Sequence, residues 1–139
     1  NFYGHDDWAI ASLRLLAYLS RINKSLGQAI TSLPQYLSSP EIKLGCPDNL
    51  KFALVSKEIA VAIKQLYPKA QYVEIDGVRM DTEAEMLIVR ASQNGPYLTV
   101  KYEAKTKEMY EKLKEQISEI LHKLPEVDFK SGVNVNSLN

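Results

Sequence analysis

Cysteine, histidine, tryptophan and net charge are what this sequence has least of. Among 139 residues there is one Cys, two His and one Trp, and seventeen basic side chains are matched by seventeen acidic ones. A lone Cys46 forms no internal disulfide, which fits a reducing cytoplasm. It sits between Gly45 and Pro47 with no nearby His, so it reads as an inert thiol, not a nucleophile. A net charge of zero argues against a nucleic-acid module, whose affinity comes mostly from cations set against phosphates. No apolar run approaches the roughly 18 residues that cross a bilayer, and the N-terminus lacks a basic-then-apolar signal pattern, so no membrane partner is expected. His5 precedes a helix and His122 lies in the last turn of another, where a cation suits the helix dipole; neither has partners at catalytic spacing. Asp6 and Asp7 are adjacent, and Asp76, Asp81 and Glu83 lie around turns, so these acids read as caps and turn residues, with no metal cluster among them. No Ser/His/Asp or Cys/His arrangement and no Gly-rich P-loop is present. What remains is a globular composition, 45% apolar, able to build a core.

The periodicity gives the organisation. Ile10, Leu13, Leu16 and Ala17 repeat at three and four, an amphipathic helix that Asp6 or Asp7 can cap. A short helix follows over about Leu26–Ser32, beginning near Ser25, and Pro34 and Pro40 bracket a linker over Leu33–Pro40. Glu41–Leu44 reads as a short strand. A long helix is expected from about Asn49 to Leu66, burying Phe52, Val55, Ile59, Ala62, Ile63 and Leu66. Tyr72–Ile75 and Val78–Met80 flank Asp76-Gly77, a two-residue hairpin signal because both turn positions favour positive φ. Strands over about Glu85–Arg90 and Tyr97–Glu103 follow. The last helix begins after Thr106, with Glu108 in its first turn, and buries Tyr110, Leu113, Ile117, Ile120, Leu121 and Leu124. Val127–Asn139, rich in Asn, Ser and Gly, reads as a loosely held tail. The order strand, helix, strands, helix predicts an α+β domain: a mostly antiparallel four-stranded sheet backed by two helices.

One stretch carries candidate chemistry. Arg90-Ala91-Ser92-Gln93-Asn94-Gly95-Pro96 lies between Met86–Val89 and Tyr97–Tyr102, two strand-like runs. Arg90 offers a rigid fork of donors for an anionic oxygen pair. Ser92, Gln93 and Asn94 add neutral donors, and Gly95 allows close approach of the backbone to a ligand. Donors packed beside a single positive charge suit a phosphate monoester dianion. The plainer alternative is a polar hairpin loop with Arg90 in a surface ion pair.

Three segments in register carry a family likeness. Ile75-Asp76-Gly77-Val78-Arg79, then Val89-Arg90-Ala91-Ser92, then Pro96-Tyr97-Leu98-Thr99-Val100-Lys101-Tyr102-Glu103-Ala104 resemble the C-terminal domain of the bacterial phosphomannomutase/phosphoglucomutase family, in the α-D-phosphohexomutase superfamily. Phe2-Tyr3-Gly4-His5-Asp6-Asp7, with Ala11, Leu13, Arg14 and Leu15, resembles the end of that family's third domain. Leu33-Pro34 with Tyr36, and Ser39-Pro40-Glu41-Ile42, resemble its connection into the fourth. The resemblance implies a TATA-box-binding-protein-like fold for residues 41–124, a helical remnant of domain three over 1–34 with a linker to about 40, and a loosely ordered tail over 125–139. Family members isomerise hexose 1-phosphates and 6-phosphates through a bisphosphorylated intermediate. Their phosphoserine, Mg²⁺ ligands and sugar-reading loop lie in the first three domains, and the fourth grips the non-reacting phosphate. Carried over, that role falls on Arg90, Ser92, Gln93 and Asn94, although the family pattern has Asn then Thr where this chain has Gln93 and Asn94. The Arg-Ala-Ser start is more similar to the mannose/glucose branch than to the phosphoglucosamine branch.

The resemblance thus implies a phosphate-clamping piece of a cytoplasmic mutase. It would be inactive alone, its substrate a mannose or glucose phosphate, its partners the absent N-terminal three domains, and its Mg²⁺ bound in the full-length enzyme with no ligand from this chain. The helix stripe near the N-terminus, with no strands of its own to cover it, is then expected to fray, to pack against Glu41–Leu124 or to self-associate. The competing reading is a self-standing, non-catalytic module that binds a phosphorylated ligand or another protein.

Overall fold

Alternation of apolar and polar residues from Ile42 to Ala104 builds one sheet face that must be covered, and two helices cover it. The computed structural model describes residues 7–138; His5 and Asp6 lie outside them. The chain divides into two units, Asn1–Gln35 and Tyr36–Asn139.

The first unit contains α1 (Trp8–Ile22) and α2 (Leu26–Thr31). Of the two candidate caps the described one, Asp7, accepts the Ile10 N–H at 3.0 Å, and Asn23 ends the helix in the left-handed region at φ 52°. Ser25 and Gln28 exchange side chain and backbone hydrogen bonds in a capping box at the start of α2. None of this unit's described residues is buried, and Leu13 and Leu16 of the expected stripe are 65% and 62% exposed.

The second unit is α+β. Its elements are β1 (Leu37–Ser38), β2 (Ile42–Gly45), α3 (Lys51–Leu54), a π turn (Val55–Ile59), α4 (Ala60–Leu66), β3 (Gln71–Val73), β4 (Gly77–Asp81), β5 (Glu85–Ala91), β6 (Tyr97–Ala104), α5 (Lys107–His122), β7 (Asp128–Val133) and a 3₁₀ turn (Val135–Leu138). The strands run β3-β4-β5-β6-β2-β7, every pair antiparallel, with β1 also on β6. Leu87, Val89 and Ala91 of β5, Leu98, Val100, Tyr102 and Ala104 of β6, Val78 and Met80 of β4, and Ile42 and Leu44 of β2 are all buried. With the exception of Ala104, they form one cluster with residues from both helices. Arg79, Ile88, Arg90, Thr99 and Lys101 alternate with them and so occupy the opposite face. Thr106 caps α5 by accepting the Met109 N–H, and Leu113, Ile117, Ile120 and Leu121 form its buried stripe.

Four expectations are corrected. The first concerns the helix after Pro47. Phe52 and Leu66, expected in the core, are 50% and 47% exposed, whereas Lys51 is 4% exposed. The π turn explains the exchange at the N-terminal end. One extra residue in a turn shifts the phase upstream by one position, so Lys51 takes the sheet-facing place that a regular helix would give to Phe52. The second is the hairpin. Gly77 does not have positive φ; among the described residues that conformation falls on Asn23, Asn134 and Gly132. The connection is three residues, Glu74 to Asp76, and Gly77 begins β4. The third is the tail. Asp128–Val133 pairs with β2, Leu138 is 2% exposed, and Ser137 O accepts the Tyr102 hydroxyl at 2.7 Å. The fourth is the strand count: the sheet holds seven strands, β1 and β7 joining the five segments read as strands. The linker is therefore paired in part, Leu37 opposite Ala104 and Ser38 opposite Glu103.

Candidate functional site

The loop from Ala91 to Tyr97 leaves β5 and returns as β6, and the chain fastens it from both sides. Across its neck the Ser92 N–H donates to Tyr97 O at 3.0 Å. Within it the Tyr97 N–H donates to Gly95 O at 2.9 Å, and the Asn94 N–H donates to Ser92 Oγ at 3.2 Å. From β2 the Cys46 N–H donates to Pro96 O at 2.9 Å. From α3 the Lys51 ammonium donates to Gly95 O at 2.8 Å and pairs with Asp48. An added Cβ on Gly95 would lie 2.4 Å from the Tyr97 ring, which would have to shift to admit it. Lys43 covers that ring, its Nζ 5.1 Å from the centroid.

The four candidate residues differ in setting. Arg90 is exposed on the face away from the helices and Ser92 is 9% exposed at the loop base, while Gln93 and Asn94 are exposed at its tip. Arg90 Nε lies 3.2 Å from Asp76 Oδ2, an ion pair across the β4–β5 ladder in which both side chains are nearly half exposed. Gly77 stands opposite Arg90 in that ladder, and a Cβ on it would meet Val89 O at 2.4 Å and Arg90 Cγ at 2.8 Å. The guanidinium opens onto a shallow cleft of about 210 Å³ shared with Asp76, Arg79 and Ile88. Arg79 is held by Asp81 through two bonds of 2.7 Å, and that pairing raises its pKa. Arg90 is thus the loop's own cation, and its partner Asp76 is itself on an exposed turn.

Around the loop tip, the backbone N–H groups of Gln93 and Gly95 and the side-chain amides of Gln93 and Asn94 meet no acceptor among the described residues. Unengaged donors of this kind suit an anion, and the cleft at Arg90 is a separate one, lined by none of residues 92–95. A larger cleft, about 720 Å³, lies at the far end between Leu66–Gln71 and Asp81–Ala84. Its lining carries two carboxylates, Asp81 and Glu83, against one cation, Lys69, so it offers an anion no net positive field.

Lys51 is the participant that sequence reasoning missed. A Lys at the first turn of an amphipathic helix reads as a solvated charge. The available signal was its place three residues after Asp48, in ion-pair range on a helical turn. Cys46 is free and 3% exposed, and burial raises its pKa, so it is a packed thiol.

Comparison with known proteins gives a consistent picture. No family model matches the chain. It is 29% identical over 124 residues to a phosphoglucomutase of Neisseria meningitidis, which spans 89% of this chain and 26% of that protein. It is 30% identical over 113 residues to a phosphomannomutase/phosphoglucomutase of Pseudomonas aeruginosa, with 81% and 24% covered. A phosphoglucosamine mutase of Methanococcus maripaludis is 36% identical over 110 residues, with 77% and 23% covered. The fold matches a crystal structure of a phosphoglucomutase/phosphomannomutase family protein from Burkholderia thailandensis at a TM-score of 0.61 and 23% identity, over 88% of this chain and 25% of that one. The chain therefore spans about a quarter of the length of the curated relatives it matches. By sequence relationship and by fold, it is a homologue of part of the bacterial phosphoglucomutase/phosphomannomutase proteins.

Proposed function

We propose that this chain is the phosphate-gripping part of a phosphohexomutase, binding the non-reacting phosphate of a hexose 1-phosphate or 6-phosphate. The observation that supports this is the set of unengaged donors, the backbone N–H groups of Gln93 and Gly95 and the side-chain amides of Gln93 and Asn94, in the loop that directly follows Arg90. The guanidinium fork takes two phosphate oxygens, the loop N–H groups take the third, and Ser92 Oγ supports the loop through Asn94. Binding asks Arg90 to exchange a carboxylate for a dianion, which the exposed setting of the Asp76 pair makes inexpensive. A grip on phosphate alone is indifferent to which end of the sugar reacts, so the same loop serves both isomers.

The residues present do not fit a Mg²⁺ centre, because no group of three or more His, Cys, Asp or Glu side chains converges among the described residues. On this reading Mg²⁺ and the phosphoryl-transferring groups belong to the rest of a longer, cytoplasmic enzyme, and the chain alone binds hexose phosphates without turning them over. The Arg-Ala-Ser start of the loop favours the mannose/glucose branch over the phosphoglucosamine branch. Homology to mutases favours this reading over a self-standing module.

The test is an amide NMR titration with glucose 6-phosphate, inorganic phosphate and glucose. Saturable shifts at Gln93, Asn94 and Gly95 with the two phosphates, and none with glucose, are expected. Arg90→Ala should weaken binding by about 1.5–3 kcal/mol, the contribution of a hydrogen bond to a charged group. Unchanged affinity in Arg90→Ala would overturn the assignment.

A further inference from the structure

A buried ammonium is costly unless its hydrogens are engaged, so its partners reveal what it is for. Lys51 is 4% exposed. Its charge is met by Asp48, which lies on the surface, and its other bond goes to Gly95 O at 2.8 Å. Nothing about α3 requires this, since an apolar residue at that helix position would pack on the sheet at no electrostatic cost. The cost is incurred at the one point where the helix meets the loop.

The consequence for the loop is one of direction. The Gly95 carbonyl accepts from Lys51 as well as from the Tyr97 N–H within the loop, and the Pro96 carbonyl accepts from the Cys46 N–H. A carbonyl oxygen is the negative end of a peptide dipole and would repel an incoming anion. With both oxygens engaged, neither is left free to oppose an anion at the Gln93 and Gly95 N–H groups.

We propose that Lys51 is a positioning residue for anion binding: it sets the loop conformation through Gly95 O and does not touch the ligand. This rests on the phosphate-binding reading above. The experiment compares the parent chain with Lys51→Met, which keeps the apolar stem and removes the donor, and with Asp48→Asn, which leaves the buried side chain in place and removes its carboxylate partner. Each is titrated with inorganic phosphate by amide NMR. Backbone order parameters over Ser92–Gly95 and hydrogen exchange at Val89 and Val100 are recorded alongside.

Lys51→Met is expected to weaken phosphate binding about tenfold or more and to lower loop order parameters from about 0.85 toward 0.6. Exchange in the β5–β6 ladder should stay at parent values, which a merely structural role would not leave unchanged. Asp48→Asn should move affinity and loop order in the same direction by a smaller amount, and it decides the question if Lys51→Met does not fold. A parent loop that ignores phosphate overturns the binding reading and any role for Lys51 in it. A parent that binds, with affinity and loop order unchanged in both variants, overturns the Lys51 assignment alone.

Discussion

Asp76 Oδ2 lies 3.2 Å from Arg90 Nε, so the cation of the candidate site is already occupied by a carboxylate from the neighbouring turn. Pairing of this kind keeps the guanidinium pointed along the sheet face, and it competes with any anion that arrives. Asp76→Asn removes the competitor and leaves a neutral acceptor of the same shape. Phosphate should then bind about 1.4- to fivefold more tightly, the range expected for an exposed ion pair of roughly 0.2–1 kcal/mol. The gain should shrink as salt rises. Titration at two ionic strengths measures it, and weaker binding in Asp76→Asn would mean that the carboxylate orients Arg90 more than it competes.

Gly77 controls the same region from the backbone. An added Cβ would press on Val89 O, Arg90 Cα and Arg90 Cγ at 2.4–2.9 Å, so β4 and β5 must separate to admit it. Gly77→Ala should cost about 1–3 kcal/mol, as overpacking does, and should lower Tm by several degrees. Phosphate affinity should fall too, because Arg90 moves with its Cα. Thermal unfolding and titration of the same sample check both halves.

The C-terminal segment should behave as part of the core. Leu138 is 2% exposed, so Leu138→Ala should lower stability by about 2–5 kcal/mol. Removing the Tyr102 hydroxyl that donates to Ser137 O should cost about 0.5–1.5 kcal/mol. Denaturant unfolding of Leu138→Ala and Tyr102→Phe distinguishes this from a loose tail, in which neither change would register.

Alkaline pH offers an independent check on packing. Burial pushes the Tyr67 phenol up to about 12 and raises that of Tyr102 further, whereas an unfolded phenol titrates near 10. A raised folded pKa means the unfolded chain loses its proton first. The contribution to stability is therefore complete below about pH 10 and declines as pH rises toward 12. Ultraviolet titration should show these tyrosines ionising late, together with a falling Tm. A single ionisation of all phenols near 10 would contradict the burial.

Much of the fold is legible in the sequence because local pattern and tertiary packing agree. Thr106, Glu108 and the stripe from Leu113 to Leu121 define α5 by their spacing alone, and the alternation of Tyr97 to Ala104 defines β6. The polar loop between two strands draws attention to Arg90, Ser92, Gln93 and Asn94. What stays hidden depends on residues distant in sequence. Lys51 finds its loop partner 44 positions away, and no local periodicity reports that. The π turn shifts the helix phase through a backbone choice that Val55–Ile59 does not advertise. The C-terminal segment is held by the pairing of its strand with β2 and by the bond from Tyr102 to Ser137, while its Asn, Ser and Gly content points to a loop.

The two outer strands of the sheet also bear on how the protein behaves in a crowded solution. An open strand edge is a template on which another chain can add. At one side β3 has only three residues. At the other, β7 changes register between Leu44 and Gly45, carries Gly132 at φ +152°, and places Asp128 and Lys130 along its length. A strand added there would meet a kink and charges of both signs within six residues. The irregularities that disguise β7 in the sequence thus make the edge a poor seed for aggregation.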